Sequence, residues 1–543
     1  MAGWLDGRQL SRALRRGTIR SFNFRIESER CPVDKKETTL QSPSSTPVNT
    51  TGNAEGATPA DVHAHVKRGF YEACSNELGS CRAGTIAERQ ERGIEARTAC
   101  PLASLADWNP TPNRQDVIAL LEEQSASRVP ELIPLRYERM SVSAFTFYRG
   151  SAIIMAHDLA AQPTTGLEVQ CVGDAHIANF GIFLSPTRHL VFDINDFDET
   201  APGPWEWDIK RLAASVEICG RDRGFSKDER RDAVRACAKQ YRHAMAHFAE
   251  LGDLDVWHAH LDVDESLDEF ERELDGKKGR SIRRAVEKAR TKDSARAADK
   301  LAHEEDGGMR FNSQPPELVP LAEIAATEGY ASPVELSRAL GTLVGTYFES
   351  LPADRRFLLG TYTVQDAARK VVGVGSVGTR AWVALLTGKD EHDPLVLQIK
   401  EANQSVVERF YRPGSFAHHG ERVVQGQRLI QSTSDILLGW TDITAPDGTQ
   451  RDYYVRQLWN GKGSIDLEEI GPESLENTAR LCAWALAHAH ARTGDEVAIA
   501  AYLDEKHAFE DALWEFSRAY ADQNELDYQA FMERYQAGTL FGQ

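Results

Sequence analysis

Cysteine is scarce, at eight in 543 residues, and no two stand in a CxxC. That argues against a paired-cysteine zinc module and fits a reducing, cytoplasmic setting. No run of about 18 apolar residues exists, so no membrane-spanning helix is expected. The first residues lack the apolar core and small-residue cleavage site of a secretory leader. Positive charge is in deficit: 63 Lys and Arg face 82 Asp and Glu, for a net charge of −19. The deficit argues against a general nucleic-acid or anionic-membrane binder. It leaves room for a small anionic ligand, which needs only a local positive pocket. The rest of the composition is that of a globular chain, 41% hydrophobic and 27% charged, too long for one ordinary domain.

Residues 1–60 hold a short basic patch and a Ser/Thr/Pro/Asn-rich tract, expected to be a disordered or linker-like tail. Residues 61–135 carry helical segments, one of them starting near Asp116 with Val117, Leu120 and Leu121 at helical spacing. Phe145 to Arg149 reads as extended and Ser151 to Leu159 as helical. Arg136, Arg139 and Arg149 are candidates to face an anion, or simply to pair with the acids of this chain. Trp207-Asp208 begins a further helix. Residues 226–305 are helical and charged, with a basic run from Lys277 to Arg296, and 333–372 return to helix. Val371 to Gln457 is strand-rich around a helix near 415–433, and the chain from Glu473 onward is helical.

One stretch concentrates the acids: Cys171 to Thr200, CVGDAHIANFGIFLSPTRHLVFDINDFDET. Ile182-Phe183-Leu184 and Leu190-Val191-Phe192 read as two strands joined by the turn Ser185-Pro186-Thr187-Arg188. Gathering carboxylates at the ends of a hairpin is costly unless a cation sits among them. The local expectation is a divalent-metal site with a general base. Asp174 and Asn179 stand in a D-x-x-x-x-N spacing, and Asp193 and Asp196 follow Asn179 by 14 and 17 residues. Asp193 fits the shortest hairpin return, whereas Asp196-Phe197-Asp198 resembles a D-F-G triplet with Asp in place of Gly. Both stand as metal ligands beside Asn179. Asp174 is the candidate base, and His176 a candidate to orient the loop.

The second concentration is Gly373-Val374-Gly375-Ser376-Val377-Gly378, a GxGxxG. A dinucleotide fold requires a helix directly after the third Gly. Here two β-rich runs follow, the second ending in Lys400. Strand, Gly-rich loop, strand, turn and strand with Lys is how a kinase covers the phosphates of ATP. Glycines let backbone N–H groups approach the phosphates, and Lys supplies a point charge. Glu421, Glu408 and Glu401 are candidate acidic partners of Lys400, with Glu421 preferred. Lys462, in Asn460-Gly461-Lys462-Gly463, is a weaker candidate for contact with a substrate or nucleotide, with a loop lysine in solvent the preferred reading.

Gly173-Asp174-Ala175-His176-Ile177-Ala178-Asn179 resembles the G-D-x-H-x-x-N loop of aminoglycoside- and choline-kinase-like phosphotransferases. The helix at Trp207-Asp208 resembles their following core helix, which carries a buried Asp. More closely, GDAHIANFG, FDINDFDET, PGPWEWDIKRLAAS, ARKVVGVGSVGTR and AHARTGD resemble the bacterial DUF2252 family, from about residue 100 onward. The resemblance to kinases implies an α+β, two-lobe, protein-kinase-like fold with a mostly helical large lobe and a small β lobe. In an ordinary kinase the Gly-rich loop precedes the catalytic loop, and here it follows by about 200 residues. The expectation is therefore a circular permutation. Its parts would be a tail (1–60), a helical extension (61–135), large-lobe residues with the catalytic loop (136–365), a β lobe (366–465) and completing helices (466–543). His488, His490, Arg492 and Asp495 would brace the catalytic loop. The implied activity is ATP- and Mg2+-dependent transfer of a phosphoryl or nucleotidyl group to a hydroxyl-bearing acceptor, with neither nucleic acid nor membrane as partner. The alternatives are a non-catalytic nucleotide-binding regulator (a pseudokinase) and a metal-dependent hydrolase built on Asp174, His176 and Asp196.

Overall fold

The computed structural model describes residues 84–263, 294–305, 308–324, 332–371, 373–458, 463–505 and 507–540, with a few single residues beside them, all within the unit Cys74–Gln543. The tail 1–60, most of the basic run 277–296 and Lys462 lie outside the described residues.

Thr85 opens helix α1 (Ile86–Ala99) with a capping box to Glu88, and Asp116 caps α2 (Val117–Ser125). Three short helices follow: α3 (Ile133–Met140), α4 (Ala144–Gly150) and α5 (Ala152–Ala160). Helix α4 corrects the expectation of an extended Phe145–Arg149. A capping box between Ser143 and Thr146 starts it. Phe145, Phe147 and Tyr148 are all buried, so their apparent alternation carried no information about period.

The acidic stretch runs through β1 (Glu168–Cys171), β2 (Phe180–Leu184), β3 (Leu190–Ile194) and β4 (Ala201–Pro204). β2 and β3 form the expected hairpin, with Phe180 opposite Ile194 and Leu184 opposite Leu190. Arg188 turns the corner at φ 68°. Helices α6 (Trp205–Asp222) and α7 (Lys227–Phe248) come next, and the two-residue β5 (Leu261–Asp262) extends the hairpin at β3.

β6 (Ala302–Glu305) and β7 (Gly308–Phe311) pair with each other, and β8 (Leu318–Pro320) leads to helices α8 (Pro333–Ser350) and α9 (Ala353–Leu359). The helical expectation for 333–372 then fails at its end, because 363–370 form β9 (Thr363–Lys370). Its Ala-Ala-Arg-Lys run has good intrinsic helix propensity, but pairing with strands on both sides overrides it. β10 (Ala381–Thr387), β11 (Pro394–Ala402), helices α10 (Val406–Phe410) and α11 (His419–Ile430), β12 (Gly439–Thr444) and β13 (Gln450–Gln457) complete an antiparallel six-stranded sheet of order β12-β13-β11-β10-β9-β8. Its alternation is clean. Trp382, Ala384 and Leu386 pack with Leu343 and Tyr347 of α8, while Val383 and Leu385 pack on the other face with Leu301 and Phe311.

Helices α12 (Pro472–Thr493), α13 (Glu496–Tyr502) and α14 (Ala508–Gln536) close the chain. Their apolar residues, including Leu486, Tyr502, Phe516 and Phe531, share one core with α2, α6, α7 and the β2–β3 hairpin. Arg114, ahead of α2, ties α5 to α14 through Asp158 (2.8 Å) and Asp527 (2.7 Å). The fold is mixed α and β with several sheets. Among the described residues no helix is long and apolar enough to cross a membrane.

Candidate active site

The loop between β1 and β2 is held from below. Gly173 has φ +81°, and a Cβ there would lie 2.1 Å from the Glu199 carbonyl, so only glycine fits. Asp208 of α6, fully buried, accepts the N–H groups of Val172 (2.6 Å) and Gly173 (2.9 Å). His490 Nε2 of α12 meets the same carboxylate at 3.2 Å, and its Nδ1 meets the Tyr241 hydroxyl at 2.7 Å. The Ile177 N–H donates to Ser215 Oγ at 2.8 Å. The loop therefore hangs from two helices distant in sequence.

On that support Asp174 Oδ1 accepts from Arg211 Nε at 2.9 Å and faces Nη2 at 2.8 Å, which leaves Oδ2 open. Asn179 commits its amide protons to the carbonyls of Asp174 and Asp196, each at 3.0 Å. Its Oδ1 is what it can offer to a ligand. His176 is buried, with Nε2 3.7 Å from Asp174 Oδ2. Burial, which outweighs the pull of Asp174 and is aided by Arg149 and Arg211, pushes its pKa down to about 4, so the ring is neutral near pH 7.

Asp193 and Asp196, both carried as metal candidates, part company. Asp193 lies within β3, buried, opposite Gly181, where the compensating charge is Arg492 of α12. Burial pushes its pKa up to about 7. Asp196 lies beyond the strand end and lines the cleft described below, as Asp193 does not.

Lys400 of β11 reaches the same place from the sheet. Its side chain is 2% exposed, and its ammonium lies 3.2 Å from Asp196 Oδ2 and also pairs with Asp198. Burial opposes its charge, but the two carboxylates outweigh it and hold the pKa above the ordinary lysine value. Asp198 in turn accepts from the Tyr454 hydroxyl (2.9 Å) and Ser376 Oγ (3.2 Å). Glu421, preferred as the partner of Lys400, sits half-buried in the first turn of α11, where its N–H donates to His418 Nδ1. The inward residue of that turn is Arg422. It donates to the carbonyls of Asp198 (2.8 Å), Thr200 (2.5 Å) and Asn403 (2.7 Å), and Glu408 lies 3.4 Å away. Glu401 pairs with Arg380 instead. Asp198 and Arg422 are the residues missed in sequence. The one available signal was a third carboxylate where a D-F-G triplet has glycine.

The Gly-rich loop lies over this group. Gly373 and Gly378 have φ +70° and +90°. The Gly378 carbonyl accepts the Val129 N–H at 2.8 Å, and Arg139 donates to the Gly373 carbonyl at 2.6 Å. A Cβ on Gly375 would meet the Arg149 carbonyl at 3.2 Å.

Two adjoining cavities result. One, of about 350 Å³, is lined by Lys400, Gln398, Asp435, Gln457 and Leu458. The other, of about 280 Å³, holds Asp174, His176, Asn179, Gly375, Arg128 and Arg149. Asn195, Asp196, Gly373, Ser376 and Ser464 border both. Gly378 borders neither; it ties the loop down. Of the expected braces, His490 acts through Asp208. His488 bonds the Val256 carbonyl and Arg492 the Leu429 carbonyl. Asp495 caps α13 and pairs with Arg89 and Arg92, away from the cleft. Among the described residues no group of three or more His, Cys, Asp or Glu forms a ready metal cage.

A family model described as an uncharacterized protein conserved in bacteria (DUF2252) matches residues 128–534. Neither a curated protein nor a solved structure matches the chain. The match covers well over half of the sequence and includes every residue of both cavities except Gln124 and Ser127. The chain belongs to the DUF2252 family.

Proposed function

We propose that this protein is an ATP- and Mg2+-dependent phosphotransferase acting on a hydroxyl-bearing acceptor, on a kinase-like arrangement of two lobes in circularly permuted order. The observation that carries the proposal is the meeting of two segments some 200 residues apart. Lys400 pairs with Asp196, and Gly373 to Ser376 border the same cleft as Asp174, Asn179 and Asp196.

In this reading the cavity of Lys400, Gln457 and Leu458 takes the nucleotide, and the cavity of Asp174 takes the acceptor. Asp174 receives the hydroxyl hydrogen on Oδ2, while Arg211 holds its other oxygen and fixes its direction. Lys400 and the loop N–H groups grip phosphate oxygens. Asn179 Oδ1 and Asp196 are the groups that would hold Mg2+, which supplies neutralisation of phosphate charge. Two protein ligands fit that ion, because Mg2+ keeps waters and phosphate oxygens in its shell. His176, neutral and buried, orients the loop.

The test is label transfer with the full chain. γ-Labelled ATP is expected to label a hydroxyl acceptor from a broad panel, and Mg2+ with ATP to raise Tm. Transfer of α-label alone would point to nucleotidyl transfer. Absence of product with either label, together with absence of nucleotide stabilisation, overturns the proposal.

One observation favours a second reading, a nucleotide-binding regulator without turnover. Lys400 is already held by two carboxylates, and Ser376 ties the loop to Asp198. It requires ATP binding without product and no loss of function in Asp174→Asn.

A further inference from the structure

The 280 Å³ cavity has an imbalance of charge. Its carboxylates are engaged: Asp174 by Arg211, Asp196 and Asp198 by Lys400, Glu199 by the Val406 N–H, and Glu401 by the Arg380 N–H. The two arginines that line it are not. Among the described residues, neither Arg128 nor Arg149 has a carboxylate within ion-pairing distance. The Arg128 side chain donates once, to the Val377 carbonyl, and its Nε is buried without a partner. The Arg149 side chain makes no hydrogen bond among the described residues, its Nε is buried without a partner, and its one close ring contact is Phe145 at 5.9 Å.

Arg128 is buried and Arg149 half-buried, and a guanidinium withdrawn from water without a counter-charge is costly, so the placement asks for a compensating group. Burial accordingly draws the pKa of both arginines below the ordinary value, that of Arg128 to about 10. Arg149 lines the cavity of Asp174, whereas Lys400 lines the adjoining one. In a chain of net charge −19, two unmatched arginines in one cavity are not a consequence of composition.

We propose that the molecule taken at Asp174 is anionic: a small hydroxyl-bearing compound with a carboxylate or phosphate group, whose charge is received by Arg149, with Arg128 as the second cation of the cavity. The proposal rests on the phosphotransferase reading of Asp174. Guanidinium is suited to both oxyanions because its N–H groups form a planar fork. An amino-sugar or choline-like cation would meet charge of the wrong sign. The rival source of the same chemistry is the terminal phosphate of the nucleotide itself.

The test uses the full chain in two arms. In the first, γ-label transfer is compared within matched pairs, glycerate against glycerol and glucose 6-phosphate against glucose, with ethanolamine as the cation. Label is expected only in the anionic members. Equal labelling of the neutral or cationic compounds overturns the proposal. In the second, binding of inorganic phosphate is titrated with a non-hydrolysable ATP analogue and Mg2+ present. Arg149→Gln is expected to weaken phosphate at least about tenfold while analogue affinity changes by less than about twofold. Unchanged phosphate affinity overturns the proposal, and so does equal weakening of the analogue, which assigns Arg149 to the nucleotide. Arg149→Lys keeps the charge and loses the fork. It serves if Arg149→Gln does not fold, with intermediate phosphate affinity expected and full affinity counting against the proposal. If the analogue does not bind, the phosphotransferase reading falls, and phosphate titrated alone still judges Arg149.

Discussion

Lys400 is one of three cationic or acidic side chains whose burial makes sense only together. Its side chain is 2% exposed, while those of Asp196 and Asp198 are 37% and 26% exposed. Removing the cation leaves two carboxylates facing each other. Lys400→Met is expected to cost about 2–4 kcal/mol, somewhat below a fully buried pair because solvent reaches Asp196. Denaturant unfolding reads that cost, and the Tm gain with nucleotide should vanish in the same variant. Asp193 gives a prediction of opposite sense. Its pKa in the folded chain, about 7, lies above the ordinary carboxylate value, so the folded form binds the proton more tightly. Its contribution to stability is complete below the unfolded pKa and lost as pH rises through about 7. Asp193→Asn should therefore flatten Tm against pH between about 4 and 7 and be more stable than the parent at pH 8. Calorimetry over that range checks it. Nucleotide binding with Mg2+ should survive in Asp193→Asn and be lost in Asp196→Asn; loss in both would return Asp193 to the site. Sequence could not separate these two aspartates, because strand alternation says which residues share a face and not which face meets the cleft.

At the scale of elements, the β2–β3 hairpin was legible because its signals are local. Turn residues and two apolar runs lie within 15 residues of one another. Helix α4 and strand β9 were not. In one, Phe145, Phe147 and Tyr148 are all buried and mask the period, and the other takes its conformation from neighbouring strands. The most consequential contact of this scale joins β1, α6 and α12. Asp208 satisfies two N–H groups of the loop between β1 and β2 and receives His490. Asp208→Ala is expected to leave both buried donors unpaired, at roughly 1–3 kcal/mol each. Asp208→Asn, which retains an acceptor oxygen, should recover part of the loss. Unfolding free energies of the two variants measure the difference, and equal values would mean that Asp208 does not anchor the loop.

At the scale of the molecule, the cleft is closed by segments from three regions of the chain: 124–152, 174–199 and 370–464. A ligand that enters it should protect the loops 173–179 and 373–379 together. Hydrogen exchange with and without a non-hydrolysable ATP analogue and Mg2+ is expected to show slower exchange in both. Protection confined to one loop would mean that the two are not parts of one site.

Much of the candidate site could be read from residue types at fixed spacing. Asp174 with Asn179, the GxGxxG and Lys400 are short patterns whose chemistry needs those residues near one another in sequence, so the sequence alone carries them. The partners of those residues are a different matter. That Lys400 pairs with Asp196 and Asp198 rather than Glu421, that Asp193 is buried within β3 outside the cleft, and that Arg149 stands without an ion-pair partner in the cavity of Asp174 were decided only by tertiary structure. The carboxylates that pair with Lys400 lie about 200 positions from it. The sign and strength of such effects come from burial, which no local pattern of residues encodes.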